Sequence, residues 1–233
     1  MNQDSIKAFQ DAYEVAVMNF NFLHLGIFYA ELSKREKLFE KAPSIIRISS
    51  GKYTLRGDLL REKLNACYGR VGQPDFFSNL IITNAVRGIS AAIFEVLKDQ
   101  SIEGLFKRNI FDNDEDAHNN FRGIVRFIRN TFSHNIRDQI EIRQKDFSRH
   151  LNDLRKIGST ELHFSSNYSK WPSSTKPPYE VGIIVNLGAI KDGSLYTDVI
   201  SEYQTLLFIE FCYNCMVRLK EDQTGESGPS INL

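Results

Sequence analysis

The residues best placed to do chemistry lie in one window, Phe121 to Arg137, which reads FRGIVRFIRNTFSHNIR. On a helix turning roughly 100° per residue, Phe121, Ile124, Val125, Ile128, Phe132 and Ile136 gather on one side. Arg122, Arg126, Arg129, Ser133 and Arg137 gather on the other, with Asn130 and His134 beside them. A solvated helix face usually interleaves opposite charges, because pairs of unlike sign one turn apart stabilise it and like pairs do the reverse. This stripe holds four arginines and no acid. From Phe121 to Arg149 there are seven Lys or Arg against three Asp or Glu, in a chain of formal net charge zero. Such a face suits an anion, and arginine suits the planar, bidentate contacts that a phosphate offers. His134 lies one turn beyond Asn130 and titrates near neutral pH, so it is able to give or take a proton. A proton carrier beside a fixed guanidinium is what phosphodiester cleavage requires. The same residues also fit a structural histidine and a solvated arginine face, and the residue types alone leave those readings open.

The elements that must position this window are mostly helical. Residues 4–41 read as one long helix, with Phe9, Tyr13, Ala16, Phe20, Leu23, Ile27 and Ala30 in steps of four and three. That seam is a core stripe or, alternatively, a face that also pairs with a second subunit. Pro43 stops it. Ser49 to Lys52 reads as a turn, and Leu55 to Tyr68 as a short helix ending at Gly69. A second helix runs from Asp75 to Lys98, capped by Asp75 or Ser78, with Leu80, Ile81, Ala85, Ile89, Ala92, Ile93 and Val96 buried. Gly88 inside it signals close packing against a neighbour. The acid run Asp112 to Asp116 reads as the start of the helix that carries the arginines, since carboxylates there cap free amides. A calcium loop is the poorer reading, because the glycine and the distal glutamate are missing. Asp146 to Ile157 reads as another helix. Residues 159–192 lose helical periodicity, and Tyr179 to Val185 is rich in strand formers, so a small β-hairpin insert is expected there. Thr197 to Lys220 reads as a helix packed on several sides, with Ile200, Tyr203, Leu206, Leu207, Ile209, Phe211, Tyr213 and Met216 around its circumference. The fold class expected is mainly α: one helical domain over residues 1–223 with the insert at 159–192, followed by a disordered tail at 224–233.

Composition narrows the functional classes. The chain has 233 residues, 42% hydrophobic and 25% charged, enough for a sizeable core without staples. With 29 basic and 29 acidic residues the whole chain is no polycation, so nucleic-acid binding must come from a local patch. Three cysteines fit a reducing compartment better than a disulfide framework. Residues 1–10 lack the pattern of a signal peptide, and no uninterrupted apolar run spans a bilayer, so a cytoplasmic location away from the membrane is expected. Phosphate loops, dinucleotide fingerprints, nucleophile elbows and the HExxH motif are missing from the sequence. Cys212-x-x-Cys215 has no second half, sits in an apolar helix and reads as core packing. His24 reads as a core or edge residue, and His118, His150 and His163 lack ligand-like spacing.

Arg129-Asn130-Thr131-Phe132-Ser133-His134 resembles the R-x4-6-H motif of the HEPN superfamily, in the form with a polar residue directly after the arginine. The likeness covers residues 75–137 best and the flanking helices loosely; residues 159–192 resemble nothing in that family. The resemblance implies a helical bundle working as a homodimeric endoribonuclease without metal or cofactor. The RNA 2′-OH would attack, leaving a 2′,3′-cyclic phosphate and a 5′-OH. Arg129, Asn130 and His134 would be catalytic, and Arg122, Arg126, Ser133 and Arg137 would bind RNA. Pairing two copies would supply both a proton acceptor and a proton donor, roles that one histidine cannot hold together. Many such proteins are toxins of toxin–antitoxin or phage-defence systems, so the implied partners are RNA, a second copy, and an antitoxin such as a nucleotidyltransferase. A non-catalytic HEPN module binding RNA, a nucleotide or a partner protein is the alternative implied.

Overall fold

The computed structural model describes residues 3–36, 43–48, 53–59, 62, 76–134, 140–143, 161–164 and 182–224. The fold is mainly α. In chain order the elements are α1 (Gln3–Glu36), β1 (Ile45–Ile48), β2 (Tyr53–Arg56), α2 (Phe76–Val96), α3 (Gln100–Leu105), a wide π turn (Phe106–Ile110), α4 (Glu115–His134), β3 (Glu161–Phe164), β4 (Ile183–Asn186), a 3-10 turn (Leu187–Ala189), α5 (Tyr196–Val199) and α6 (Glu202–Thr224). The chain divides into two compact units, one made of Met1–Phe20 with Asn84–Leu233 and the other of Asn21–Thr83.

The larger unit is built on aromatic packing. Phe121 of α4 sits among the rings of Phe106, Phe111, Phe208 and Phe211, with centroids 5.3–6.3 Å away. Phe20 of α1 stacks on Tyr213 of α6 at 4.0 Å. Burying rings of this size removes on the order of 150–250 Å² each from water, which is why the sequence places them at helical spacing on inward faces. Gly88 of α2 fulfils its expectation: a side chain there would collide with Asn19 of α1. The thiols of Cys212 and Cys215 are fully buried within α6, and burial pushes both upward. They pack the core.

In the smaller unit β1 pairs antiparallel with β2, Ile45 opposite Arg56 and Ile48 opposite Tyr53. Leu55 and Arg56 are therefore extended, so the helix expected from Leu55 starts later: residues 57–59 and 62 are helical, and the rest of that stretch to Tyr68 lies outside the described residues. β-branched and aromatic residues on both strands favour the extended form over the helical periodicity read from the sequence. Gly57 approaches Pro43 so closely that a Cβ would strike its carbonyl oxygen, and its amide donates to the Ser44 carbonyl at 2.8 Å.

Other expectations are refined. Of the α1 seam, Phe9, Ala16, Phe20, Leu23 and Ala30 are buried and Tyr13 and Ile27 are half-buried, as a core stripe requires. On α2, Ile81, Ala85, Ile89, Ala92, Ile93 and Val96 are buried as expected, but Leu80 is exposed, and Ser78 lies inside the helix rather than capping it. The last helix is split. Ile200 is extended, and Ser201 restarts the helix, its hydroxyl accepting from Gln204 N at 3.2 Å. Tyr203, expected inside, is exposed. The insert does contain an antiparallel pair, β3 with β4, in register Glu161 to Asn186. The expected helix at Asp146 to Ile157, the turn at Ser49 to Lys52 and the tail beyond Thr224 lie outside the described residues.

Candidate functional site

α4 starts where the acid run predicts. The Asp114 carboxylate accepts from Ala117 N at 3.0 Å, and Glu115 and Asp116 occupy the first turn. Just upstream, Asp112 and Asn113 adopt left-handed backbone (φ 52° and 66°), a conformation that Asp and Asn tolerate best among residues with a side chain. Phe121, Ile124, Val125, Ile128 and Phe132 are buried, as their spacing requires, and Phe127 and Thr131 join them. Arg122, Arg126, Arg129 and Asn130 are half-buried, and Ser133 is exposed. The polar stripe therefore faces outward.

Two structural supports fix the C-terminal half of α4. Phe132 packs edge-on against Tyr196 at 4.8 Å, and the Tyr196 hydroxyl shares a hydrogen bond with Thr205 Oγ1 at 3.0 Å. Burial pushes the Tyr196 phenol far above its usual range. Beyond the helix, the segment Ile140–Ile142 is tied to Gly193–Tyr196: Ile142 N donates to Ser194 O, Gly193 N to Ile142 O, and Tyr196 N to Ile140 O, each at 2.8 Å.

The arginines are held in different ways. The Arg129 guanidinium lies over the ring of Phe94 on α2, 4.9 Å from its centroid, and Nη1 donates to Asn130 Oδ1 at 3.0 Å. A ring face beneath and an amide oxygen beside it restrict a side chain that otherwise samples many rotamers. Arg129 and Asn130 are thus brought together. Arg122 is not bare: its Nη1 meets Glu103 of α3 at 2.5 Å. The acid missing from the stripe in sequence is supplied there by another helix. His134 is the last residue of α4; its side chain, and the whole of Arg137 and Ile136, lie outside the described residues. Ser133 Oγ donates to the Arg129 carbonyl at 2.6 Å, back along its own helix.

Three further residues belong to the site. Arg87 of α2 donates from Nε to the Phe132 carbonyl at 2.8 Å. The last carbonyls of a helix have no partner within it, so this guanidinium satisfies one of them and anchors the turn that carries His134. The signal was visible: Arg87 is the lone charged residue between Phe76 and Phe94, and a charge amid apolar sequence needs a partner. Phe94 and Glu103 carry no such signal, because only the fold places them under Arg129 and against Arg122. At the other end of α4, His118 is buried against Phe111, with ring centroids 5.8 Å apart. Desolvation lowers its pKa, outweighing the opposing field of Glu103.

No family model, curated protein or solved structure matches this chain. Among the described residues, no single helix is long and apolar enough to cross a membrane.

Proposed function

We propose that the chain is a metal-independent endoribonuclease of HEPN type, acting on RNA as a homodimer in the cytoplasm. The observation that carries this reading is Arg129 on the outward face of α4, held by Phe94 and Asn130 and five residues before His134. A guanidinium held in place before substrate arrives stabilises a developing phosphorane without reorganising. His134 shuttles the proton, the 2′-OH attacks, and the products carry a 2′,3′-cyclic phosphate and a 5′-OH. Arg126 and Arg137 hold neighbouring phosphates, with Ser133 beside them on the same face. Arg122 joins them when RNA competes with Glu103 for its guanidinium. A toxin or phage-defence role, with an antitoxin such as a nucleotidyltransferase, fits an RNase of this kind.

The test is incubation of purified protein with total RNA in EDTA, followed by end-group analysis. Wild-type protein should leave cyclic phosphate ends, and His134→Ala should cut at least about 100-fold more slowly, the usual worth of a general acid or base. Undiminished cleavage by that variant overturns the assignment, and loss of wild-type cleavage on chelation points to a metal. The second reading, a non-catalytic module of the same superfamily, is favoured by the Arg122–Glu103 pair, since an arginine held by an internal acid is less available to a substrate. RNA binding without cleavage would select it.

A further inference from the structure

Among the described residues, seven of the twelve exposed large hydrophobic side chains lie on α1. Six of them, Val15, Met18, Phe22, Leu25, Phe28 and Tyr29, are each 42–69% exposed. Val15, Met18, Phe22, Leu25 and Tyr29 step by three and four, and Leu32 continues the spacing. At 100° per residue they occupy an arc of about 80°, on the side of the helix opposite the buried stripe of Phe9, Ala16 and Phe20. The seam runs for about 20 Å along the axis. α1 therefore carries two apolar stripes, and among the described residues only one is buried.

Between Glu14 and Glu31 the helix contains no Asp, Glu, Lys or Arg. A solvated face of this length normally carries charge, and coiled-coil seams are the setting where apolar residues recur at this spacing. Large apolar side chains present on the order of 150–250 Å² each when fully exposed, so the exposed fractions of the five seam residues total about 500–600 Å². The largest apolar patch on an ordinary monomer is roughly 300–600 Å². Two such seams facing each other bury about 1,000–1,200 Å², which reaches the roughly 1,000 Å² that a specific interface needs. An isologous contact needs one self-complementary patch, and an uncharged heptad seam centred on Phe22 has no like charges to oppose its own copy.

We propose that Val15, Met18, Phe22, Leu25 and Tyr29 of α1 are the surface on which a second copy of this chain docks, seam against seam. The inference rests on the homodimer in the functional reading above, but not on RNA cleavage. It moves the apolar contact from the buried stripe of α1 to the opposite face. Because the seam is uncharged, the pairing is driven by burial and holds at high salt. Pairing through the arginine faces of α4 would instead respond strongly to salt.

Light scattering coupled to size exclusion tests this on the full chain. The wild type should have twice the chain mass at micromolar concentration, in low salt and in molar salt alike. Phe22→Glu with Leu25→Glu should halve that mass while keeping the helical circular dichroism, since both side chains are exposed in the single chain. Phe22→Leu should keep the dimer. A melting midpoint of the wild type that rises with protein concentration gives the same answer without any variant. A wild type that runs as a monomer, or a doubly substituted variant that stays dimeric, overturns the proposal. So does a monomer that floats with phosphatidylcholine vesicles through these residues, which would make the occupant a lipid surface. RNA cleavage is measured on the same samples: a dimer that does not cut defeats the nuclease and leaves the seam standing, and a monomer that cuts defeats the seam and the homodimeric form of the nuclease while leaving RNA cleavage itself standing.

Discussion

α1 and α4 are both long helices that bury aromatic residues in the larger unit, yet their outward faces are unlike. α4 is apolar inside and basic outside, with Arg122, Arg126 and Arg129 along one edge. α1 is apolar inside and, from Val15 to Tyr29, apolar outside as well. A helix of the first kind can leave its outer face to water or to an anion. The second kind leaves hydrophobic area exposed among the described residues. In this chain the two surfaces that call for a partner therefore ask for opposite chemistry: an anion along α4, and apolar surface along α1.

The largest effects should come from the buried sides, where the two helices behave alike. Phe121→Ala on α4 and Phe20→Ala on α1 should each cost about 3–5 kcal/mol in urea unfolding, because each leaves a ring-sized void among aromatic neighbours. Losses well under 1 kcal/mol would show that the stacks are loose and the two inward faces are not equivalent.

Arg87→Ala isolates the exit of α4. It strips the Phe132 carbonyl of its guanidinium donor and should cost about 1–3 kcal/mol. Hydrogen exchange should report faster opening of the last turn of α4, with α1 unchanged. Equal acceleration in both helices would mean that Arg87 supports the whole fold rather than the turn bearing His134.

His118 gives α4 a pH response. Its folded pKa lies below the ordinary value because burial disfavours the imidazolium. The unfolded chain therefore binds a proton that the folded chain refuses. This stability is complete above the unfolded pKa of about 6.5 and is lost as pH falls from there toward the folded pKa. The urea midpoint should drop between pH 7 and pH 5, with a slope of at most about 1.4 kcal/mol per pH unit from this group. His118→Gln should flatten that slope. His24 on α1 is lowered by burial too and adds to the slope, while Glu210, raised by burial, opposes it. An unchanged slope in His118→Gln sinks the assignment.

The smallest effect sharpens the comparison within α1 itself. Phe22→Ala, two residues from Phe20, should change the stability of the single chain by no more than about 0.5 kcal/mol. Its effect should appear only as lost concentration dependence of melting. A large loss at every concentration would place Phe22 in the chain's own core.

How much of this was legible depended on whether one element could carry its own signal. The inward face of α4 follows from spacing alone, and Phe121, Ile124, Val125, Ile128 and Phe132 are all buried. Asp114 as its cap follows from the acid run. The break at Ile200 was hidden because a strongly apolar sequence reads as helix on every side, while the serine that restarts the helix is read only as a polar residue within it. β1 and β2 were missed because two four-residue strands are too short to show an alternation. The site divides in the same way. Arg129 and Asn130 are neighbours in sequence and in space, whereas Phe94, Arg87 and Glu103 reach α4 from other helices, and no local pattern records such a meeting. The outward seam of α1 was present in the residues as well, but periodicity cannot say which of two apolar stripes faces inward.

The tie between Ile140–Ile142 and Gly193–Tyr196 sets an order of events during synthesis. α4 is complete at His134, but the residues that brace its exit lie about 50 positions or more further along the chain. At roughly 5–20 residues per second, a ribosome needs on the order of 3–10 s to supply them. Over that interval the nascent helix lacks the Tyr196 ring under Phe132 and the strand-like clasp beyond it. Whatever chemistry the outward face of α4 performs, the chain gains its braced form only after most of it has been translated, which separates the moment of making the helix from the moment of arming it.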